Sequence, residues 1–281
     1  MSALHRWLSR LAACAAAGAL GAAERAPSVR PVEPIPLPRA HAHNDYEHAR
    51  PLLDALDCGF CSVEADVHLV DGKLLVAHDR SNVRPDRTLE ALYLKPLAER
   101  VRANGGRVHR GGPQFTLLID FKSAAEPTYA ALRPLLAKHK EMLARFTPNG
   151  TREGAVIVIL SGNRPENALA AEPIRWAAID GRLPDLERNP PVSLVPLISH
   201  SWRNVFRWRG QGPIPPAETA RLKSLVRRTH QQGRRIRFWA APDNPAGWEV
   251  LYEAGADLIN TDDLKGLRRF LLQKRQKQSA K

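Results

Sequence analysis

The chain has 281 residues, with 42 Lys and Arg against 29 Asp and Glu, a formal charge of +13 and a pI near 10.2. Hydrophobic residues make up 43% and charged residues 25%, too apolar for a disordered chain, and three Cys exclude a disulfide scaffold. A basic globular chain remains, of a length that one α/β barrel fills.

The N-terminal stretch reads as a leader. Arg6 and Arg10 precede an Ala-rich apolar run over residues 11–22, and Gly21-Ala22-Ala23 offers small residues for cleavage before Glu24. Basic, then apolar, then small is the order of a secretory signal peptide, and the run is too short to span a bilayer as a helix. Residues 1–23 are therefore expected to be removed and the protein exported, to a periplasm or outside the cell. Leu11-Ala12-Ala13-Cys14 also fits a lipoprotein box. Only three residues separate Arg10 from Cys14, too little apolar length, so lipid anchoring is not expected. Without the two arginines the mature chain carries +11. Residues 24–34 form a Pro-rich lead-in.

From residue 35 short apolar runs alternate with amphipathic stretches. Strands are predicted over residues 35–43, 61–69 (with a hairpin partner at 73–78), 115–121, 155–160, 175–179, 192–198, 235–240 and 257–260. Helices are predicted over 51–57, 89–103, 128–145, 216–232, 247–254 and 264–274, with Pro165 and Pro184 interrupting two weaker connections. Eight strands separated by helices predict a parallel closed sheet, the (β/α)8 TIM barrel, as a single domain over 35–272 with a basic tail at 273–281. An open doubly wound sheet fits less well, because no Gly-rich phosphate loop follows the first strand. Gly59, Gly233 and Gly255 each stand where a helix C-cap is expected.

In such a barrel function gathers at the C-terminal ends of the strands. The first strand ends in His41-Ala42-His43-Asn44-Asp45-Tyr46, and the second reads Ser62-Val63-Glu64-Ala65-Asp66-Val67-His68. Strand side chains alternate, so Glu64, Asp66 and His68 share one face and Val63, Ala65, Val67 and Leu69 the other. The third strand repeats the pattern, with Leu118, Asp120 and Lys122 on one side. Three carboxylates aimed at one cavity cost several kcal/mol unless a cation offsets them or some are protonated. Pairing with a neighbouring Arg is the structural alternative for Glu64 or Asp66. A third carboxylate at matching depth on another strand favours ligation of one divalent cation, and an all-oxygen set without Cys favours Mg²⁺ or Ca²⁺ over Zn²⁺. His43, and His78 followed by Asp79, flank this group as candidate proton carriers.

The stretch from Ala40 to Asp79 resembles the start of the glycerophosphodiester phosphodiesterase and phosphatidylinositol phospholipase C-like superfamily. The shared pattern is a His after the first strand, an ExD on the second and an HD after the following hairpin. With 237–243 (Arg-Phe-Trp-Ala-Ala-Pro-Asp) and 260–264 (Asn-Thr-Asp-Asp-Leu), it is most similar to the branch named for altered inheritance of mitochondria protein 6. Sphingomyelinase D enzymes are more distant relatives. The resemblance implies a TIM-barrel phosphodiesterase in which Glu64, Asp66 and Asp120 are metal ligands, His43 and His78 the acid/base pair, and Lys122 a phosphate contact. Three departures matter. The usual His-Arg-Gly after the first strand is replaced by Ala-His-Ala-His, so a phosphate-binding Arg is missing. Either His41 or His43 can then align, and His43 is favoured because Asn44 follows it and its spacing to Glu64 suits the sphingomyelinase D pattern. His41 becomes a helper on the same strand face. The glycerol-recognising insertion is not recognisable, so substrate identity does not transfer.

Other features carry weaker readings. Trp239 and His200 are placed at the mouth as substrate contacts, with His41, Asn44 and Lys122. Asn260 and Asp262 either orient an active-site ring or cap the last helix. Cys58-Gly59-Phe60-Cys61 lacks a thioredoxin-like context and reads as packing, with a disulfide second. The basic stretches 221–237 and 265–281 are solvated helix faces by default, and attraction to an anionic membrane surface or substrate is compatible with them. No nucleic-acid motif accompanies them. The reading is an exported, monomeric, metal-dependent phosphodiester hydrolase acting on a small phosphodiester or phospholipid. One rival is a metal-dependent amidohydrolase, since His41-Ala42-His43 mimics its zinc-binding HxH pair. The other is a non-catalytic phospholipid or sugar-phosphate binder.

Overall fold

A computed structural model describes residues 33–147 and 149–279; the expected leader 1–23 and its Cys14 lie outside the described residues. In chain order the strands are β1 (Leu37–Ala42), β2 (Phe60–Val70), β3 (Lys73–Val76), β4 (Phe115–Phe121), β5 (Arg145–Thr147), β6 (Gly150–Arg152), β7 (Val156–Gly162), β8 (Ala178–Gly181), β9 (Leu197–Ser201), β10 (Arg235–Trp239) and β11 (Ile259–Thr261). The helices are α1 (Leu53–Asp57), α2 (Lys95–Ala103), α3 (Ala125–Lys138), α4 (Glu166–Ala171), α5 (Asp185–Arg188), α6 (Trp202–Val205), α7 (Pro216–Gln231), α8 (Pro245–Ala254) and α9 (Leu264–Ser279).

Eight parallel strands lie in the order β10-β9-β8-β7-β4-β2-β1-β11, and a parallel bridge between Arg237 and Leu258 closes the ring. The strand β3 folds back on the end of β2 as the expected hairpin. This is the (β/α)8 barrel predicted from the alternation. The outward side chains Val63, Ala65, Val67, Leu117, Ile119 and Phe121 pack under the helices in the main core. Their neighbours on the other strand face fill the barrel: Leu118, Ile157, Ile159, Ala178, Leu197 and Leu258 form a separate interior cluster. On β2 and β4 the inward positions change from Ser62 and from Thr116 and Leu118 to carboxylates toward the C-terminal mouth, while Arg235 of β10 reaches Thr116 at the other end.

Gly59, Gly233 and Gly255 all have positive φ, as their C-cap positions require. At Gly59 the need is also steric, since a Cβ would stand 2.2 Å from the Ile35 carbonyl oxygen.

Four stretches differ from the sequence expectation. The helix predicted over 128–145 ends at Lys138, and Arg145–Thr147 pairs instead with Gly150–Arg152 as the β5–β6 hairpin. Leu143 and Phe146 pair with Val156 and Arg175, so the hairpin covers the N-terminal ends of β7 and β8, and amphipathic spacing there serves a plug rather than a helix. The run 192–198 enters the sheet only at Leu197, because Pro191 and Pro196 keep the preceding residues out of it. The run 175–179 likewise joins only at Ala178. The last helix, predicted over 264–274, is longer. The helix α9 continues to Ser279, and Lys274 pairs with Glu249 and Glu253 on α8. Cys58 and Cys61 are both free and buried. Among the described residues no helix is long and apolar enough to cross a membrane.

Candidate active site

Register brings the acids together. On β2 and β4, Asp66 stands opposite Asp120 and Glu64 opposite Leu118, so the two strands deliver their inward carboxylates at adjoining depths. One oxygen from each of Glu64, Asp66 and Asp120 lies within 4.8 Å of the others. Glu64 is 6% exposed and Asp66 1%. Gly162 on β7 makes room for the third acid, since a Cβ there would sit 2.5 Å from Asp120 Oδ1.

Protein cations offset part of this charge. Lys122 Nζ lies 3.0 Å from Asp66 Oδ2 and 2.9 Å from Asp120 Oδ1. Arg237, reaching in from β10, donates through Nη1 to Glu64 Oε2 at 2.7 Å and through Nε to Ser199 Oγ at 3.1 Å. Burial alone would raise the Glu64 proton affinity, but Arg237 and His41 outweigh it and hold that carboxyl well below the usual range. Asp66 goes the other way, raised first by burial and then by the Glu64 charge. Burial opposes the Lys122 charge, yet Asp66 and Asp120 together keep its ammonium proton held more tightly than usual. Three carboxylates against two fixed cations leave one negative charge, with Glu64 and Asp66 buried and Lys122 and Asp120 partly exposed at the mouth.

The residues present fit a divalent cation. Asp66 Oδ1 is buried without a hydrogen-bond partner, an orphan acceptor of the kind a bound ion satisfies. The donors are all hard carboxylate oxygens, suited to Mg²⁺ or Ca²⁺. Glu64 Oε2 is taken by Arg237 and Asp66 Oδ2 by Tyr46, His78 and Lys122, so each acid has one oxygen engaged by the protein.

The histidines fall into different environments. His41 is completely buried, with Nδ1 2.6 Å from Ser62 Oγ and Nε2 2.7 Å from Arg237 Nη1. A guanidinium can only donate, so Nε2 accepts and Nδ1–H donates to Ser62. Burial first and Arg237 second push the His41 imidazole down to about 4, fixing it as a neutral ring whose lone pair is spent. His43 Nδ1–H donates to Asp262 Oδ1 at 2.9 Å, and His78 Nδ1–H donates to Asp66 Oδ2 at 3.0 Å. In both rings Nε2 has no hydrogen-bond partner among the described residues. Burial lowers the His43 proton affinity, but the Asp262 hydrogen bond with the Glu64 and Asp262 charges raises it overall. His68 Nε2 donates to the His78 carbonyl at 3.1 Å and so anchors the segment that carries that ring.

Comparison with known proteins gives the family. Residues 28–177 match the AIM6-like phosphodiesterase domain, and residues 235–265 match the glycerophosphoryl diester phosphodiesterase family. The chain belongs to the AIM6-like branch of the glycerophosphodiester phosphodiesterase and phospholipase C-like superfamily. It is 30% identical over 272 residues to altered inheritance of mitochondria protein 6 of Eremothecium gossypii, covering 83% of this chain and 69% of that protein. The protein of the same name from Saccharomyces cerevisiae is 30% identical over 277 residues, covering 83% and 70%. The fold is shared with a solved glycerophosphodiester phosphodiesterase from Parabacteroides distasonis, with a TM-score of 0.53 at 14% identity, covering 84% of this chain and 98% of that one. A second, from Agrobacterium tumefaciens, gives a TM-score of 0.50 at 15% identity, covering 83% and 100%.

In this AIM6-like domain Glu64, Asp66, Asp120, Lys122, His41, His43 and His78 converge at the mouth. Asn44 lies beside them, its side-chain oxygen 2.8 Å from Tyr46 Oη. Trp239 shares the inward face of β10 with Arg237 and is 37% exposed at the rim. His200 is not brought into the group. It pairs in register with Phe238 and shares the face of Ile198, both of which pack outward, and it makes no hydrogen bond to the cluster. Of the two candidates at the last strand, Asp262 orients the His43 ring. The capping falls to the next residue, Asp263, whose Oδ1 accepts from Gly266 N. Asn260 faces the interior beside His41 with both amide atoms buried and unpartnered. Sequence reasoning gave no role to Arg237 or Tyr46. Both lie in motifs quoted for the resemblance, but their partners are 173 and 20 residues away along the chain.

Proposed function

We propose that this chain is a metal-dependent phosphodiester hydrolase that cleaves a P–O bond by histidine acid/base catalysis with one divalent cation, Mg²⁺ or Ca²⁺. The observation that carries the reading is the pair of imidazoles, His43 and His78, each oriented through Nδ1 by a carboxylate and each leaving Nε2 open beside one acidic cluster.

Glu64, Asp66 and Asp120 would hold the cation, which supplies charge neutralisation to a phosphoryl oxygen. Lys122, between Asp66 and Asp120, offers its ammonium to a second phosphoryl oxygen. One imidazole takes the proton of the nucleophile, which is water or a neighbouring substrate hydroxyl that closes a cyclic phosphate. The other gives a proton to the departing alcohol. Water as nucleophile yields a phosphomonoester and an alcohol; a substrate hydroxyl yields a cyclic diester and an alcohol. Trp239 and Asn44 are placed to contact the substrate around this centre.

The amidohydrolase alternative loses its ligand pair. His41 spends both ring nitrogens on Ser62 and Arg237, and β8 carries Asp180 rather than a His. We also propose export, on the strength of Arg6, Arg10 and the apolar run that follows. Mass spectrometry of the native protein should find a new N-terminus near Glu24, and an intact Met1 refutes it.

The decisive assay is ³¹P NMR of products from glycerophosphodiesters and lysophospholipids, with Mg²⁺, Ca²⁺ or a chelator. Cation-dependent appearance of a monoester or cyclic phosphate supports the reading. No turnover of any diester with either ion, or turnover unaffected by the chelator, refutes it.

A further inference from the structure

Three donors reach Asp66, and all three end on the same oxygen. Tyr46 Oη lies 2.6 Å from Oδ2, His78 Nδ1 3.0 Å and Lys122 Nζ 3.0 Å, while Oδ1 is buried with no partner. A buried acceptor left unpaired is costly, and a division this lopsided calls for a cause. Lys122 and His78 each have a part in the chemistry proposed above. Tyr46 has none. It is buried in the core, and among the described residues its hydroxyl reaches only Asp66, Asn44 (2.8 Å) and His78 (3.3 Å).

A phenol has one proton to give. Asp66 Oδ2, at 2.6 Å, is nearer than Asn44 Oδ1 at 2.8 Å and bears carboxylate charge, so the proton points to Asp66. The backbone on either side is fixed. The neighbouring Asp45 carboxylate accepts from Leu52 N at 2.6 Å and from Tyr93 Oη at 2.8 Å, and Arg87 Nη2 donates to the Tyr46 carbonyl. The phenol is therefore held in place by contacts that do not depend on a cation.

We propose that Tyr46 is a positioning residue of the acidic site: its hydroxyl pins Asp66 Oδ2, so that Oδ1 is presented to the cation and His78 is tied to the same fixed point. The proposal rests on the metal-dependent reading above. Arg237 has the matching relation to Glu64, where it occupies Oε2. Partners that orient a ligating carboxylate in this way typically contribute 10–100-fold to metal affinity.

The test is calorimetric titration of Mg²⁺ and Mn²⁺ into wild type, Tyr46→Phe and Asp66→Asn, with thermal melts of the metal-free proteins. Tyr46→Phe keeps the ring and removes only the hydroxyl. The expected result is a cation affinity roughly 10–100-fold weaker with a nearly unchanged melt, and an unchanged KM for substrate at saturating cation. A role in packing alone would lower the melt and leave the affinity of the folded protein intact. Folded Tyr46→Phe that binds either ion within twofold of wild type overturns the proposal while leaving the metal site standing. Wild type that binds no divalent ion, like Asp66→Asn, overturns the metal-dependent reading itself and this proposal with it. Arg87→Met, which frees the Tyr46 backbone without touching the hydroxyl, provides a second variant. A loss of affinity in the same direction is expected here and supports the proposal; the affinity of Tyr46→Phe decides it.

Discussion

Two imidazoles in this barrel meet carboxylates at nearly the same distance, 2.9 Å for His43 with Asp262 and 3.0 Å for His78 with Asp66. The resemblance ends with the acids. The Asp262 side chain is 61% exposed and serves His43 alone, whereas that of Asp66 is 1% exposed and shares one oxygen among His78, Tyr46 and Lys122. The exposure is reversed between the two pairs: water reaches Asp262 and hardly reaches Asp66, whereas the His78 ring is 57% exposed and the His43 ring 32%. His43 is tuned by a local and dispensable charge. His78 is oriented by the same group that completes the acidic cluster, so whatever displaces that carboxylate displaces the ring with it.

The sharpest way to break the comparison is Asp66→Asn. It removes a ligand oxygen's charge and the His78 acceptor together, so a loss of roughly 10³-fold or more in turnover is expected, with cation binding abolished. Because burial and the Glu64 charge disfavour the ionised form, the metal-free variant should melt no lower than wild type. Steady-state kinetics, calorimetry and a thermal melt check the three parts. Unchanged turnover and unchanged cation affinity would remove Asp66 from the site.

Replacing the rings themselves comes next. His43→Ala and His78→Ala are each expected to cost on the order of 10²–10⁴-fold in turnover while leaving cation affinity nearly intact. Whichever ring protonates the leaving alcohol can be recognised from p-nitrophenyl esters, which need little protonation: the variant lacking the acid should be spared on them and not on alkyl esters. A bound zinc that vanishes with His41→Ala or His43→Ala would return the amidohydrolase reading.

Lys122→Met separates two roles of one side chain. Its ammonium bridges Asp66 and Asp120, so removing it leaves their charge unopposed and should tighten cation binding about tenfold. Turnover should nevertheless fall, because a phosphate contact is gone. Affinity and rate moving in opposite directions is the expected signature; a parallel fall in both would place Lys122 in the scaffold of the metal site instead.

How much of this was legible in the sequence depends on how local each signal is. The Glu64–Asp66 pair and Asp120 could be read from two-residue alternation on single strands, and the barrel from the succession of strands and helices. His78 was marked by the hairpin before it. Arg237 was not legible as a partner of Glu64, because only closure of the ring between β10 and β11 brings it across the interior. Asp262 and Asp263 could not be told apart as ring-orienter and cap until the β11–α9 turn had a geometry. His200 shows the converse error: it sits at a strand end like the others, but register with Phe238 turns it away from the interior. The helix expected to run to residue 145 failed for a related reason, since amphipathic spacing cannot distinguish a helix from a plug that buries alternate residues under the barrel.

Asp262→Asn is the gentlest change and the most informative about direction. The pair is partly exposed, with side-chain exposures of 32% for His43 and 61% for Asp262, so its worth is at most about 1 kcal/mol and the expected loss of turnover only about fivefold. The sign of the pH effect is firmer than its size. Asp262 helps raise the proton affinity of His43 in the fold, so its stabilisation is fully present below the unfolded value for histidine and is lost as pH rises through the folded one. In the Asn variant that contribution disappears, and the stability gap to wild type should open on the acid side of neutrality and close on the alkaline side. The pH–rate profile should respond on one limb only. His43 without Asp262 releases its proton at lower pH, so the limb that belongs to it moves to lower pH. A shift of the acid limb identifies His43 as the base that must be neutral; a shift of the alkaline limb identifies it as the acid that must be protonated. The assignment comes from which limb moves rather than from either midpoint, since the limbs of a bell-shaped profile are macroscopic values. If neither limb moves, Asp262 holds the ring in place without tuning it, and the contrast between the two pairs reduces to geometry.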